Sequence, residues 1–400
     1  MSHLPQASAA TPDAREGTGH RLAPVRLLVD DGLGAREVCV SAAPGLTVGR
    51  DPTCDVRLDR REVSRVHARL DLTHDATITD LGGVHGTSIA GEHLAPGEPV
   101  PLATGAVVAM GAALFALAPQ VTVVSRVIVR PSSPTGGRKR TSSVPPPLEQ
   151  AASHFAVGGV FARLLDLVVR LGADANLLLC GELGAGKGAF ATLLHLRGGR
   201  REGPLCHVHC AALEPHALER TLFGSETDGR TTPGVLEAAR GGTVVLESVG
   251  ELPMLVQERL AEALRDGSFT RMGGASRVAL EPRIVATTTH PLRHAVAYGT
   301  FRADLLERLG AVSVGIPPLR ERGDEIEAIA AALLLATTEG MPLPARELSP
   351  DAVAALRAQP WVGNLRELRA VLEHAALLGR RRMVRSHELL FARASHDPDD

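Results

Sequence analysis

Gly181-Glu-Leu-Gly-Ala-Gly186-Lys187 follows the apolar run NLLLC (176–180) and opens a helical stretch. A G-x-x-x-x-G-K turn in that context builds a phosphate cradle. Its amides and the helix N-terminus face the phosphate oxygens, and the lysine reaches the outer phosphates. The lysine stands out, because of 43 basic side chains only Lys139 and Lys187 are lysines. Gly188 occupies the place of the Ser or Thr whose hydroxyl meets the nucleotide's magnesium ion. A second chemical position lies in GGTVVLESVGELP (241–253). Val244, Val245 and Leu246 suit a strand covered on both faces, and Glu247 closes it at the end where open α/β sheets hold ligands. Nucleotide hydrolysis calls for a second acid next, to orient the attacking water, and the next residue is Ser248. CHVHC (206–210) carries cysteine and histidine at metal-like density. Alternation along a strand puts Cys206, Val208 and Cys210 on one face and both histidines on the other, so it reads as a core strand rather than a zinc site.

The elements that must hold these groups fall into blocks. Residues 1–22 are small, polar and without periodicity, and are expected to be disordered. From 23 to 120, short β-type runs such as VRLLVD, LTVGR, HARLDL, ATITDL and ALFALA recur between turns, which predicts an all-β sandwich. Residues 121–150 form a Pro/Ser-rich basic linker, in which Thr141 follows three basic residues and is a candidate kinase target. Residues 151–330 alternate helical and strand patterns and predict an α/β unit with a parallel sheet. In its first helix, Phe161, Leu164, Leu165 and Val168 share one face. Residues 331–392 are helical only, and 393–400 are an acidic tail. GRRRMVR (379–385) reads as a solvated loop after a helix.

A net charge of −2 and a pI near 6.8 give no global basic footprint for nucleic acid. With no leader-like apolar region and no apolar run of 18 residues, a cytoplasmic protein without membrane contact is expected. The five cysteines (39, 54, 180, 206, 210) are expected to be buried free thiols.

Gly49-Arg50, Ser64-Arg65-x-His67 and DLGGVHGT (80–87) together resemble the forkhead-associated (FHA) domain. The resemblance implies that loops at one end of the sandwich bind a phosphothreonine-containing partner of Ser/Thr kinase signalling. Arg50 and Ser64 match the phosphate ligands, Arg65 adds charge, and His67 matches a structural histidine. His85 stands before Gly86 where the family has asparagine, a departure that bears on peptide selectivity. Arginine forks suit a dianionic phosphate.

The phosphate loop, VHCAAL (208–213), LERTLFG (218–224), GVLEAARGGTVVLESVGELP, PRIVATT (282–288), FRADLLERL (301–309), PPLRERGDEI (317–326) and WVGNLRELR (361–369) occur in one order. Together they closely resemble the AAA+ central domain of sigma-54-dependent transcriptional activators, with its helical lid. The resemblance implies ATP and Mg²⁺ as cofactors, with Gly181, Gly184, Gly186, Lys187 and Gly188 around the phosphates and Glu247 as metal-binding carboxylate. Arg302 and Arg308 match the pair that reaches a neighbouring subunit's site, and Arg366 matches the lid arginine that senses nucleotide. Ring assembly follows from fingers supplied in trans. Ser248 replaces the water-polarising acid, and Thr289 replaces the sensor asparagine. SETDGRTTPG stands where the family has the GAFTGA loop that touches the sigma factor, and the chain ends before a Fis-type helix-turn-helix. Two readings stay open. One is an ATP-binding, phosphothreonine-sensing regulator with weak or absent hydrolysis, no expected sigma-54 contact and no DNA-binding domain of its own. The other is an active ATPase that works on sigma-54 polymerase and is recruited to DNA by a partner.

Overall fold

The computed structural model describes residues 25–31, 36–40, 43–73, 76–103, 105–117, 159–171, 175–227, 230–338, 346–378 and 382–391. The polar N-terminus, the basic linker with Thr141 and the acidic tail lie outside the described residues. Among the described residues, eleven short strands fill the first block: β1 (Val25–Asp30), β2 (Arg36–Val40), β3 (Leu46–Gly49), β4 (Val56–Arg57), β5 (Ala68–Asp71), β6 (Thr77–Asp80), β7 (Thr87–Ile89), β8 (Glu92–His93), β9 (Pro99–Pro101), β10 (Val107–Met110) and β11 (Ala113–Leu117). They form two sheets, ordered β2-β1-β11-β10-β7-β8 and β4-β3-β5-β6-β9. Val48, Leu70, Ile78, Val108, Met110 and Phe115 point inward and are wholly buried between them. Alternation would leave the outer faces wet. On β10 and β11 it does not: β11 is buried along its whole length. Val107, Leu114 and Ala116 on that outer face belong to a second apolar cluster, shared with the next domain.

That domain begins with α1 (Gly159–Leu171). Besides the expected stripe of Phe161, Leu164, Leu165 and Val168, the helix also buries Leu167 and Leu171. Its periodicity reads as one buried face because the second covering layer, the sandwich, comes from elsewhere in the chain. Each such side chain stabilises the contact by about 1.5–3 kcal/mol. There follow β12 (Leu177–Cys180), α2 (Lys187–Arg197), β13 (Leu205–His209), α3 (Pro215–Phe223), β14 (Gly224–Thr227), β15 (Arg230–Pro233), α4 (Val235–Ala238), β16 (Thr243–Glu247), α5 (Met254–Asp266), β17 (Ser268–Thr270), β18 (Arg277–Ala279), β19 (Arg283–Thr288), α6 (Leu292–Ala297), α7 (Ala303–Leu309) and β20 (Val312–Gly315). The core sheet is parallel, in the order β13-β16-β19-β12-β20. Its C-terminal edge therefore gathers the phosphate loop, Glu247 and Thr289. The SETDGRTTP segment forms the antiparallel pair β14–β15, and Arg271, which bonds Glu237 at 2.7 Å, sits beside it.

The lid contains α8 (Ile326–Thr338), β21 (Glu347–Leu348), α9 (Pro350–Arg357), α10 (Asn364–Leu378) and β22 (Met383–Val384). Its core gathers Leu319, Ile326, Leu334, Leu372 and Trp361, whose indole N–H donates to the Leu356 carbonyl at 2.8 Å. The helical lid also holds one short β pair: β21 and β22 pair in parallel, and Arg382 bridges to Glu347 at 2.7 Å. Two-residue strands are too short for any alternation to show in the sequence. The cysteine expectation is corrected in part. Cys54 and Cys210 are buried and Cys180 and Cys206 only partly so, all four free. Burial pushes the Cys180 and Cys210 thiols up to about 12, so neither is a ready nucleophile. No helix among the described residues is long and apolar enough to cross a membrane.

Candidate functional site

The end of β12 runs into the phosphate loop. Gly181, Gly184 and Gly186 adopt φ of 153°, 78° and 102°, which side chains would resist. At Gly184 a Cβ would lie 2.4 Å from the Gly363 carbonyl oxygen, so the loop threads closely beneath the lid. Lys187 opens α2 and donates from Nζ to the carbonyls of Gly181 and Glu182, both at 2.8 Å. Burial lowers its pKa to about 8, with the nearby Glu247 charge working the other way. The ammonium is thus held in the loop by neutral carbonyls.

Glu247 sits at the end of β16, directly across the ladder from His209 on β13. His207 donates from Nδ1 to its Oε1 at 2.8 Å, and His209 Nδ1 lies 3.2 Å from Oε2. The His207 hydrogen bond, helped by the charges of His209 and Lys187, holds the Glu247 carboxyl below the usual carboxylate range. The histidines lie on one side of their strand, as alternation requires, and serve to orient Glu247. No group of three or more possible ligands among the described residues is arranged to hold a metal ion. Ser248 follows in the left-handed region, φ 57° and ψ 51°, with its N–H 3.3 Å from Thr287 Oγ1. Thr289 lies just beyond β19 and lines one cavity with Gly181 and Glu182.

The arginines occupy different surroundings. Arg302, at the N-terminal end of α7, makes two bonds to Asp304 at 3.0 and 2.9 Å. Arg308 is partly exposed on the same helix. Among the described residues, neither has a bond to Lys187 or Glu247 of its own chain. Arg366 is exposed at the start of α10, near enough to Lys187 for the two charges to repel. The stronger link to the phosphate loop comes from residues that the motif reading missed. Asn364 is buried at φ 52° and donates from Nδ2 to the Leu183 carbonyl at 3.0 Å and to Glu182 Oε2 at 3.1 Å. Its Oδ1 accepts from the Leu319 N–H at 2.7 Å, and Arg320 forks onto the Glu182 carboxylate at 2.8 and 2.6 Å. An asparagine at the first position of a predicted helix was the available signal.

At one end of the sandwich the structure brings together the three loops that carry Arg50, Ser64–Arg65 and His85–Gly86. The Arg50 N–H donates to the Ser64 carbonyl at 3.0 Å. His67 is fully buried beneath them. Its Nδ1 accepts from the Ser64 N–H at 3.0 Å, which leaves Nε2 to donate to the Gly86 carbonyl at 3.1 Å. Buried Asp80 fixes the third loop through the N–H groups of Gly82 at 3.0 Å, Gly83 at 3.3 Å and Thr87 at 3.1 Å. Arg50, Arg65 and His85 stay exposed and Ser64 partly so. The result is a hydrogen-bonded rim with two exposed guanidinium forks, both near enough to Asp51 for their charges to help the Thr53 hydrogen bonds lower its carboxyl pKa.

A β-sandwich with this rim, followed by a parallel-sheet phosphate-loop unit and a helical lid, defines a sandwich joined to a lidded phosphate-loop fold. The family profile of the FHA domain matches residues 46–111, that of the Sigma-54 interaction domain residues 161–315, and that of the AAA+ ATPase lid domain residues 320–400. The nitric oxide reductase transcription regulator NorR2 of Cupriavidus necator is 36% identical over 378 residues, covering 88% of this chain and 70% of that protein. The DNA-binding transcriptional regulator NtrC of Rhizobium meliloti is 32% identical over 271 residues, 66% of this chain and 54% of that one. Among solved structures, NtrX from Brucella abortus in complex with ATP has a TM-score of 0.51 at 30% identity, covering 63% of this chain and 57% of that chain. Its complex with ADP has a TM-score of 0.54 at 31% identity, covering 63% and 60%. The chain belongs to the family of sigma-54-interacting transcription regulators, with an FHA domain preceding the AAA+ unit and its lid.

Proposed function

We propose that the chain is a phosphothreonine-sensing regulator that binds ATP with Mg²⁺, assembles through its AAA+ units into a ring, and turns ATP over slowly. The phosphate loop, with Lys187 and its glycines, would hold the phosphates. Glu247, oriented by His207 and His209, would meet the metal, and Arg366 would read the nucleotide from the lid. The ATP and ADP complexes of the similar NtrX support nucleotide binding here. Residues around the loop fit the metal too: the nearest neighbour of a Cβ built on Gly188 is Glu247 Oε1, at 3.6 Å. The observation that carries slow turnover is Glu247-Ser248. A serine is neutral and short, and cannot take the proton of an attacking water at neutral pH. Loss of a positioned base costs about 10²–10⁴-fold in rate. Steady-state turnover measured beside ATP affinity tests this: tight binding with slow turnover supports it, and turnover typical of the fold refutes it.

For the sandwich, the exposed forks of Arg50 and Arg65 above a braced rim support recognition of a phosphothreonine-containing protein. Arg302 and Arg308, without a role in their own site, support a finger function in a neighbouring subunit. The β14–β15 pair carries none of the sequence by which relatives touch the sigma factor, so the protein is expected not to open a sigma-54 promoter. Open-complex formation by the purified protein with ATP would refute that. The second reading, an active sigma-54 ATPase, draws on the 36% identity with a transcription regulator across most of the chain.

A further inference from the structure

The outer face of the sandwich is built to meet the AAA+ unit. Leu114 and Ala116 on β11 and Val107 on β10 join Phe161 and Leu164 of α1 and Val312 and Val314 of β20 in one buried cluster. Solvent-facing positions of an independent sandwich would carry polar groups instead. Glycines mark the closest approaches. A Cβ on Gly315, at the end of β20, would lie 2.1 Å from the Gly91 nitrogen and 2.4 Å from the Ala90 carbonyl carbon. At the other end of β20, a Cβ on Gly105 would lie 2.5 Å from the Ala311 carbonyl oxygen. Two backbones are seated on one another at both ends of the edge strand.

The two seats connect the two binding regions. On the sandwich side, the turn at Gly91 follows β7, which starts directly after the His85–Gly86 loop. That strand is held to the rim by Asp80 through the Thr87 N–H at 3.1 Å and by His67 through the Gly86 carbonyl at 3.1 Å. On the AAA+ side, Gly315 leads into Ile316, whose N–H donates to the Cys180 carbonyl at 2.7 Å. A Cβ on Gly181 would lie 2.7 Å from the Ile316 carbonyl oxygen, so the first residue of the phosphate loop rests on the same segment. His85 and Gly86 share a cavity of about 760 Å³ with Gly181, Glu182 and Thr289.

We propose that this face of the sandwich is a docking surface for the chain's own AAA+ unit, and that it couples phosphothreonine-peptide binding to nucleotide binding through the Gly91–Gly315 seat. The coupling half rests on the phosphothreonine and ATP readings above; the docking half does not. Coupling is reciprocal, so each ligand changes the other's affinity by the same factor.

The test uses the purified full chain, a fluorescent non-hydrolysable ATP analogue and a degenerate phosphothreonine peptide pool. Saturating peptide should shift the analogue's Kd by about fivefold or more, within the usual range of allosteric coupling. Gly315→Ala, whose methyl would separate the two backbones, should reduce the shift to less than about twofold while both ligands still bind. Ala116→Arg, which places charge in the contact and leaves the sandwich core intact, should do the same. Peptide binding that leaves analogue affinity unchanged in the wild-type chain overturns the coupling. If the pool does not bind at all, the phosphothreonine reading has failed, and hydrogen exchange then decides the rest. Analogue alone should change amide exchange across residues 88–94 in the wild type and not in Gly315→Ala; exchange there indifferent to nucleotide overturns the proposal.

Discussion

Asn364 of the lid donates to the Leu183 carbonyl of the phosphate loop at 3.0 Å, and the same side chain accepts from the Leu319 N–H at 2.7 Å. One buried amide therefore joins the phosphate loop, the start of the lid and the first turn of α10. Asn364→Ala leaves both backbone groups unsatisfied, at about 1–3 kcal/mol each, and places alanine at a positive φ. The expected result is a lowered thermal midpoint and ATP affinity weakened by an order of magnitude or more, read by calorimetry and titration. An unchanged melting curve would mean that the lid does not depend on this joint.

His67 plays the matching part in the sandwich, between the Ser64 and Gly86 loops. His67→Ala leaves the Ser64 N–H and the Gly86 carbonyl unsatisfied and should cost about 1–3 kcal/mol of sandwich stability for each. Gly83→Ala is expected to act through the same ring, because its methyl would lie 2.5 Å from the imidazole. Both changes should weaken phosphothreonine-peptide binding at least tenfold although neither touches the peptide. Denaturant titration with fluorescence anisotropy checks this, and peptide affinity preserved in both variants would contradict it.

Lys187 gives a pH dependence with a definite sign. Its pKa falls from 10.5 to about 8 because burial disfavours the charge. Below pH 8 the lysine is charged in the folded and unfolded chain alike, and the burial penalty is fully present. Between about 8 and 10.5 the folded chain releases its proton first, so this group's contribution to stability improves as pH rises. ATP binding should show the opposite trend, because phosphate needs the ammonium. Affinity should hold steady from pH 7 to about 8 and then weaken by up to about tenfold per unit. Lys187→Arg should flatten that profile in isothermal titration; an equal slope in the variant would assign it to another group.

Gly188 has room for a side chain, since the nearest atom to a built Cβ is Glu247 Oε1 at 3.6 Å. Gly188→Thr should supply a hydroxyl to the metal and tighten Mg²⁺–ATP binding by about 3- to 10-fold, in line with one net hydrogen bond. Binding in excess chelator should not change. Equal tightening with and without Mg²⁺ would mean that the gain comes from helix packing instead.

Much of the architecture was legible because it depends on local pattern. Unbroken runs such as TVVL and RIVATT mark strands covered on both faces, and Glu247 could be placed at a sheet edge from its run alone. The ALFALA run carried a further message, a sandwich strand with two dry faces, which makes sense only once α1 and β20 are seen against it. The environment of Glu247 was not legible, because it depends on the register that sets His209 opposite it across two strands distant in sequence. The reach of Asn364 to Leu183 spans 181 residues and has no periodic signature.

The central claim is that Ser248 leaves this site able to hold ATP and poor at cleaving it. Turnover and affinity should be measured in parallel for the wild type and for Glu247→Asp combined with Ser248→Glu, with and without Thr289→Asn. The expected result is similar ATP affinity in all, with turnover in the restored site raised about 10²-fold or more over the wild type. A wild type that already hydrolyses ATP at the rate of an active enzyme, unchanged by the restoration, would contradict the account.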